Sequence, residues 1–119
     1  MEGFIEITQN WKTFSRVLIV DKLGKGSVQV YKEDDYICIS DLFVIEPYRK
    51  MGIGSMLLRE AINVAKKLSE HGKIDIMTNE NSAPFAGKWY EKFGFKLQKI
   101  EDEIILNEYG EMERYVLEF

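Results

Sequence analysis

The sequence predicts one mixed α/β domain spanning all 119 residues. Three observations carry that expectation. Four short stretches before Ile45 alternate, or cluster β-branched and aromatic residues. From Gly52 to Leu68 the apolar residues change to a helical period. After that stretch the chain returns to strand, helix and strands, which together describe a layered α/β sandwich.

In chain order, Phe4-Ile5-Glu6-Ile7 alternates, Val17-Leu18-Ile19-Val20 is a short apolar run, and Ser27-Val28-Gln29-Val30-Tyr31 alternates again. Lys22-Leu23-Gly24-Lys25-Gly26 supplies a glycine turn between the last two. Glu33-Asp34-Asp35 is a polar turn before Tyr36–Ile45, whose β-branched and aromatic content predicts a long central strand. The helix places Ile53, Met56, Leu57, Ala61, Ile62, Val64, Ala65 and Leu68 on one face. Arg59, Glu60, Lys66 and Lys67 fall on the other, and Gly72 after His71 is the expected stop. Ile74–Met77 reads as a strand and about Ser82–Lys92 as a second helix ended by Gly94. Phe95–Ile100, Ile104–Leu106 and Glu113–Phe119 are further strand candidates. Pro47 and Pro84 each precede a helical pattern, as helix starts would.

Composition excludes several classes. Hydrophobic residues at 45% and charged residues at 30% belong to a globular chain. A net charge of −4 lacks the basic footprint of a nucleic-acid binder, so no nucleic acid is expected. No run reaches the ~18 apolar residues of a membrane span, so no membrane is expected either. One cysteine, Cys38, permits no internal disulfide, and with one histidine it builds no zinc site; the expected location is cytoplasmic and the expected metal none. Cys38 reads as core packing and His71 as an exposed residue at a helix end. Glu101-Asp102-Glu103 reads as an exposed acidic loop.

The informative stretch runs from Asp41 to Ser55. A strand ends, Pro47 turns the chain, and Gly52 and Gly54 open a helix. Glycines there let the backbone approach a ligand, and the first helical N–H groups point outward with the positive end of the helix dipole. A diphosphate suits such a site, held by backbone N–H groups around Met51, Gly52, Ile53, Gly54 and Ser55 and assisted by Arg49, Lys50 and the Ser55 hydroxyl. The Gly-x4-Gly-Lys-Ser/Thr pattern of nucleotide-binding loops is absent. The dinucleotide pattern lacks its third glycine, since Leu57 stands there.

Arg49-Lys50-Met51-Gly52-Ile53-Gly54 resembles the acetyl-CoA signature of the GNAT superfamily of N-acyltransferases, Gln/Arg-x-x-Gly-x-Gly/Ala after a strand. Ala86, Trp89, Tyr90, Gly94 and Phe95 are similar to the family's later segment, and Met112–Leu117 to its final strand. The resemblance runs from about Val17 to the end. It implies a mostly antiparallel central sheet with helices on its faces, and transfer of acetyl from acetyl-CoA to a primary amine in a ternary complex. It implies that main-chain groups of Phe43 and Val44 pair with the pantetheine arm, with the Val44 N–H as oxyanion donor; an ordinary ladder role is the alternative. Tyr90 falls where the family often places the acid that protonates the departing thiolate, the alternative being a packed helix aromatic. Asp41 is a candidate base, on a face shared with Ile39 and Phe43, or else a solvated surface acid; Glu80 or a water chain are the other options. The asparagine the family often places seven residues before the tyrosine is here Ala83, and Asn81 is the substitute for the pantetheine contact or a helix cap.

The resemblance also implies a departure. The family usually inserts two helices between its first two strands, and Thr8–Ser15 is too short for them. An open acceptor side follows, suited to a protein lysine or N-terminus or to completion by a second subunit in a homodimer, and less to a small amine. A coenzyme A sensor without catalysis, and a nucleotide-binding or scaffold domain in which the glycine turn is structural, are the competing readings.

Overall fold

The computed structural model describes residues 3–10, 12, 14–33, 36–49, 51–79, 86–98 and 112–119. The chain divides into two units, Met1–Ile74 and Asp75–Phe119.

In the first unit four strands form an antiparallel meander: β1 Phe4–Asn10, β2 Phe14–Asp21, β3 Gly26–Glu33 and β4 Tyr36–Val44. β1 pairs with β2 from Phe4↔Asp21 to Asn10↔Ser15, so only three residues, 11–13, connect the two strands. The alternation seen in sequence sets the faces. Val17 and Ile19 of β2, Val28 and Val30 of β3 and Ile37 and Ile39 of β4 share one buried face. Helix α1, Ile53–Leu68, adds Leu57, Leu58, Ala61, Ile62, Val64 and Ala65 to this core. Each large side chain so buried contributes roughly 1.5–3 kcal/mol.

The helix departs from its sequence reading at three places. Glu60, expected on the polar face, is buried, because it stands three residues after Leu57 and four before Val64, inside the apolar stripe. Met56, expected in the stripe, is half exposed. The helix also ends at Leu68, not at Gly72. Ser69 is its C-cap, and the Ser69 hydroxyl oxygen accepts the Gly72 N–H at 3.1 Å and the Lys73 N–H at 3.4 Å. Gly72, at φ +70°, belongs to the turn that follows. His71 is exposed and Cys38 buried, as expected.

The second unit takes in β5 (Lys73–Asn79) from Asp75 onward, helix α2, Ala86–Glu91, and strands β6, Lys96–Gln98, and β7, Met112–Glu118, in the order β5-β7-β6. β6 and β7 are antiparallel. Tyr90, Phe95 and Tyr115 pack as a buried aromatic cluster with ring centroids about 6 Å apart. Asp75 is buried and meets Arg114, whose Nε donates to Oδ2 at 3.0 Å while Nη2 lies 2.7 Å from the same oxygen. The candidate strand 104–106 and residues 82–85 of the expected second helix lie outside the described residues. The mixed class and the antiparallel pairing match the expectation.

Candidate active site

The end of β4 is shaped by its ladder with β3. The Ile45 N–H donates to the Lys25 C=O at 2.8 Å. Antiparallel ladders alternate, so at Phe43↔Ser27 the main-chain groups point into the ladder, and at Val44↔Gly26 they point away from β3. The expectation for the two residues therefore separates. The main chain of Phe43 is directed at β3 and is not free, a correction that follows from register. The Val44 N–H and C=O are directed outward. Gly26 makes this close pairing feasible: a Cβ there would sit 2.7 Å from the Phe43 carbonyl oxygen. In the sequence Gly26 reads only as part of a turn, and no local signal marks the close approach.

Beyond Val44 the chain makes one 3₁₀ turn, Glu46–Tyr48, with Pro47 inside it. Pro47 thus starts this short turn and not the long helix. Arg49 follows, exposed, and its Nε donates to the Val44 C=O at 2.9 Å. Its guanidinium carbon lies 5.7 Å from the centroid of the half-exposed Phe43 ring. The Lys25 Nζ sits 4.7 Å over the Tyr48 ring. Arg49 is thereby held against the strand end, a contact that sequence reasoning had not assigned.

Gly52 then adopts φ +83°, ψ 0°, a left-handed conformation that favours glycine, and opens α1. The first bond inside the helix here is from the Met56 N–H to the Gly52 C=O at 3.1 Å. The preceding N–H groups of Ile53, Gly54 and Ser55 have no acceptor within the helix. No side chain caps this end and no acid stands in its first turn. The helix dipole leaves net positive potential there. Met51 is exposed at the rim and Ser55 half-buried. Main-chain donors so arranged suit an anion. Lys50 and Asn81, also expected at the cofactor, lie outside the described residues, as does Glu80.

Asp41 is exposed and takes φ +52°. The register slips here: Gln29 pairs Ser40 and Ser27 pairs Phe43, so Asp41 and Leu42 together oppose Val28. The bulge breaks the alternation from which Asp41 was expected to share a face with Ile39 and Phe43. Ile39 is in the core and Phe43 on the opposite face. Asp41 stands in solvent, with the Ser40 hydroxyl 3.5 Å from its Oδ2.

Tyr90 lies on α2 with its ring among Trp89, Phe95 and Tyr115. Burial pushes its phenol above the usual value of 10. Asn63, Lys67 and Glu6 surround the buried Glu60, and burial followed by the Glu6 carboxyl pushes the Glu60 carboxyl up. Among the described residues no group of three His, Cys, Asp or Glu is arranged to hold a metal, and no helix is long and apolar enough to cross a membrane.

Residues 13–97 match the acetyltransferase (GNAT) domain family. This chain belongs to the GNAT acetyltransferase family. The uncharacterized N-acetyltransferase YvbK of Bacillus subtilis is 37% identical over 91 residues, 76% of this chain. The alignment spans 57% of that relative's length. Among solved structures, a Bacillus subtilis acetyltransferase in complex with CoA superposes with a TM-score of 0.70 at 26% identity, covering 91% of this chain and 78% of that one. A Bacillus anthracis acetyltransferase in complex with acetyl coenzyme A gives 0.67 at 25% identity, covering 92% and 66%. The family assignment agrees with the resemblance carried by Arg49–Gly54 and by Ala86–Phe95.

Proposed function

We propose that this chain is an acetyl-CoA-dependent N-acetyltransferase, a single domain over residues 1–119 acting in the cytoplasm on a primary amine, either a protein lysine or N-terminus or a small amine. The observation that carries the reading is the uncapped start of α1 after left-handed Gly52, with Arg49 fixed at the Val44 carbonyl. The CoA and acetyl-CoA complexes of the two solved relatives support it.

In this reading the N–H groups of Ile53, Gly54 and Ser55 hold the diphosphate. The outward Val44 N–H donates to the thioester oxygen as the amine nitrogen attacks the carbonyl carbon. The C–N bond forms, the C–S bond breaks, and the amine proton passes to water or to Asp41. Tyr90 protonates the thiolate. Its raised pKa keeps it protonated at neutral pH but makes donation to a thiolate, whose conjugate thiol has a reference pKa of about 8.5, uphill; the transfer must therefore accompany C–S cleavage. The short β1–β2 connection favours an extended acceptor such as an exposed lysine over a small amine that needs enclosure.

The test combines binding and turnover. Acetyl-CoA at about 100 times its Kd should stabilise the chain by roughly 2.7 kcal/mol, with NAD and ATP giving no shift. CoA release should be measured with lysine peptides and a panel of small amines. Tyr90→Phe should lower kcat by about 10²- to 10⁴-fold with acetyl-CoA affinity retained. Binding without turnover on any amine would favour the non-catalytic coenzyme A sensor. No shift with acetyl-CoA would remove the reading altogether.

A further inference from the structure

β1 ends the strand order of the first unit, and its residues from Ile5 to Asn10 are all exposed. The direction of its main-chain groups follows from one bond. The Lys22 N–H donates to the Gly3 C=O at 2.9 Å. Alternation in this ladder turns the N–H and C=O of Ile5, Ile7 and Gln9 toward β2, and those of Phe4, Glu6, Thr8 and Asn10 outward. Native edge strands are commonly blunted by proline, bulges or lysine. β1 has none of these within Phe4–Asn10, and Glu6 is its only charge. Ile5 and Ile7 stand 50% and 49% exposed, across from half-buried Val20 and Leu18.

We propose that β1 pairs antiparallel with β1 of a second copy of this chain, about a two-fold axis at Ile7. The register is selected by elimination. Main-chain bonds form only if outward residues face outward residues, so the axis falls on a residue of the strand and not between two. An axis at Glu6 sets two carboxylates opposite each other, which is unfavourable. An axis at Ile5, Thr8 or Gln9 leaves strand ends unpaired. At Ile7 all seven residues pair. Phe4 meets Asn10 of the second copy and Glu6 meets Thr8, giving four hydrogen-bonded residue pairs. Ile7 meets its own copy in a non-hydrogen-bonded pair, where side chains approach most closely, and the exposed isoleucines of both copies cover one another. No like charges are opposed. The inference goes beyond the acetyl-transfer reading and does not depend on it.

Sedimentation equilibrium of the full chain from ~1 to ~500 µM tests it, since a single ladder makes a small interface and a concentration-dependent dimer. The expected result is a dimer that Ile7→Lys dissociates. Thr8→Pro should do the same, because it removes an outward N–H and leaves the β1–β2 ladder intact. If Thr8→Pro fails to fold, the exposed Thr8 still decides the register by charge. Thr8→Lys, opposite Glu6 of the second copy at two symmetric places, should tighten the dimer several-fold, and Thr8→Glu should weaken it by a similar factor. A monomer at every concentration, a dimer insensitive to Ile7→Lys, or equal effects of Thr8→Lys and Thr8→Glu would each overturn the proposal.

Discussion

Glu60→Gln should stabilise this protein at neutral pH. Glu60 is only 4% exposed, and its Oε2 has no hydrogen-bond partner among the described residues. Its other neighbours pull in both directions. The Glu6 carboxyl opposes ionisation, while Asn63 and Lys67 favour it. A buried acceptor left unsatisfied costs roughly 1–3 kcal/mol, and more when charged. Glutamine keeps the length and nearly the same helix propensity, and its amide can donate to Glu6. The lost attraction to Lys67, two helical turns away, is a charge pair with an exposed partner worth at most about 1 kcal/mol. The net expectation is a gain of about 1–2 kcal/mol, or roughly 4–8 °C in Tm for a chain of this size. The sign with pH follows from linkage. The folded-state carboxyl is raised, so its contribution is fully present below about pH 4.5, the ordinary glutamate value, and is lost as pH rises through the folded value. The stability difference between Glu60→Gln and wild type should therefore be largest at pH 7–8 and shrink toward acid. Urea unfolding at several pH values measures it. A variant less stable than wild type at pH 7, or a difference that does not change with pH, would refute the reasoning.

Three further outcomes are expected. Gly26→Ala should cost about 1–3 kcal/mol by thermal unfolding, because the added Cβ meets the Phe43 carbonyl at 2.7 Å, and acetyl-CoA affinity should fall with it as the end of β4 shifts. At Gly52 nothing lies within 4 Å of an added Cβ, so Gly52→Ala should lose only the ~1–2 kcal/mol of left-handed strain, while Gly52→Asn, which tolerates that region, should keep more of the acetyl-CoA affinity in a titration. Arg114→Ala leaves the Asp75 carboxylate buried without its partner and should cost about 2–4 kcal/mol in urea unfolding, less than a fully buried pair because Arg114 is partly exposed.

Much of this architecture was legible from local pattern. The four strand segments between Phe4 and Val44 and the helical stripe of Leu57, Ala61, Ile62, Val64 and Ala65 depend on the two backbone periods, 2.0 and 3.6, and the structure places strands and helix on those segments. The glycine cradle was legible for a similar reason. Left-handed backbone at Gly52 and the donors after it are properties of a short segment. The burial of Glu60 was also present in its spacing, although its charge argued for the outer face.

The sequence by itself determined which segments become strands and helices, and where a helix begins with free N–H groups. Tertiary structure decided what depends on pairing. The bulge at Asp41 displaced it from the face alternation predicted, because register is set by a neighbouring strand and not by the bulged one. The same register turned Phe43 into the ladder and Val44 out of it, put a backbone carbonyl where a Gly26 side chain would be, and brought Arg49 back to Val44. Hydrogen-bond direction alternates along a ladder according to the partner strand, and a single strand read alone carries no record of it.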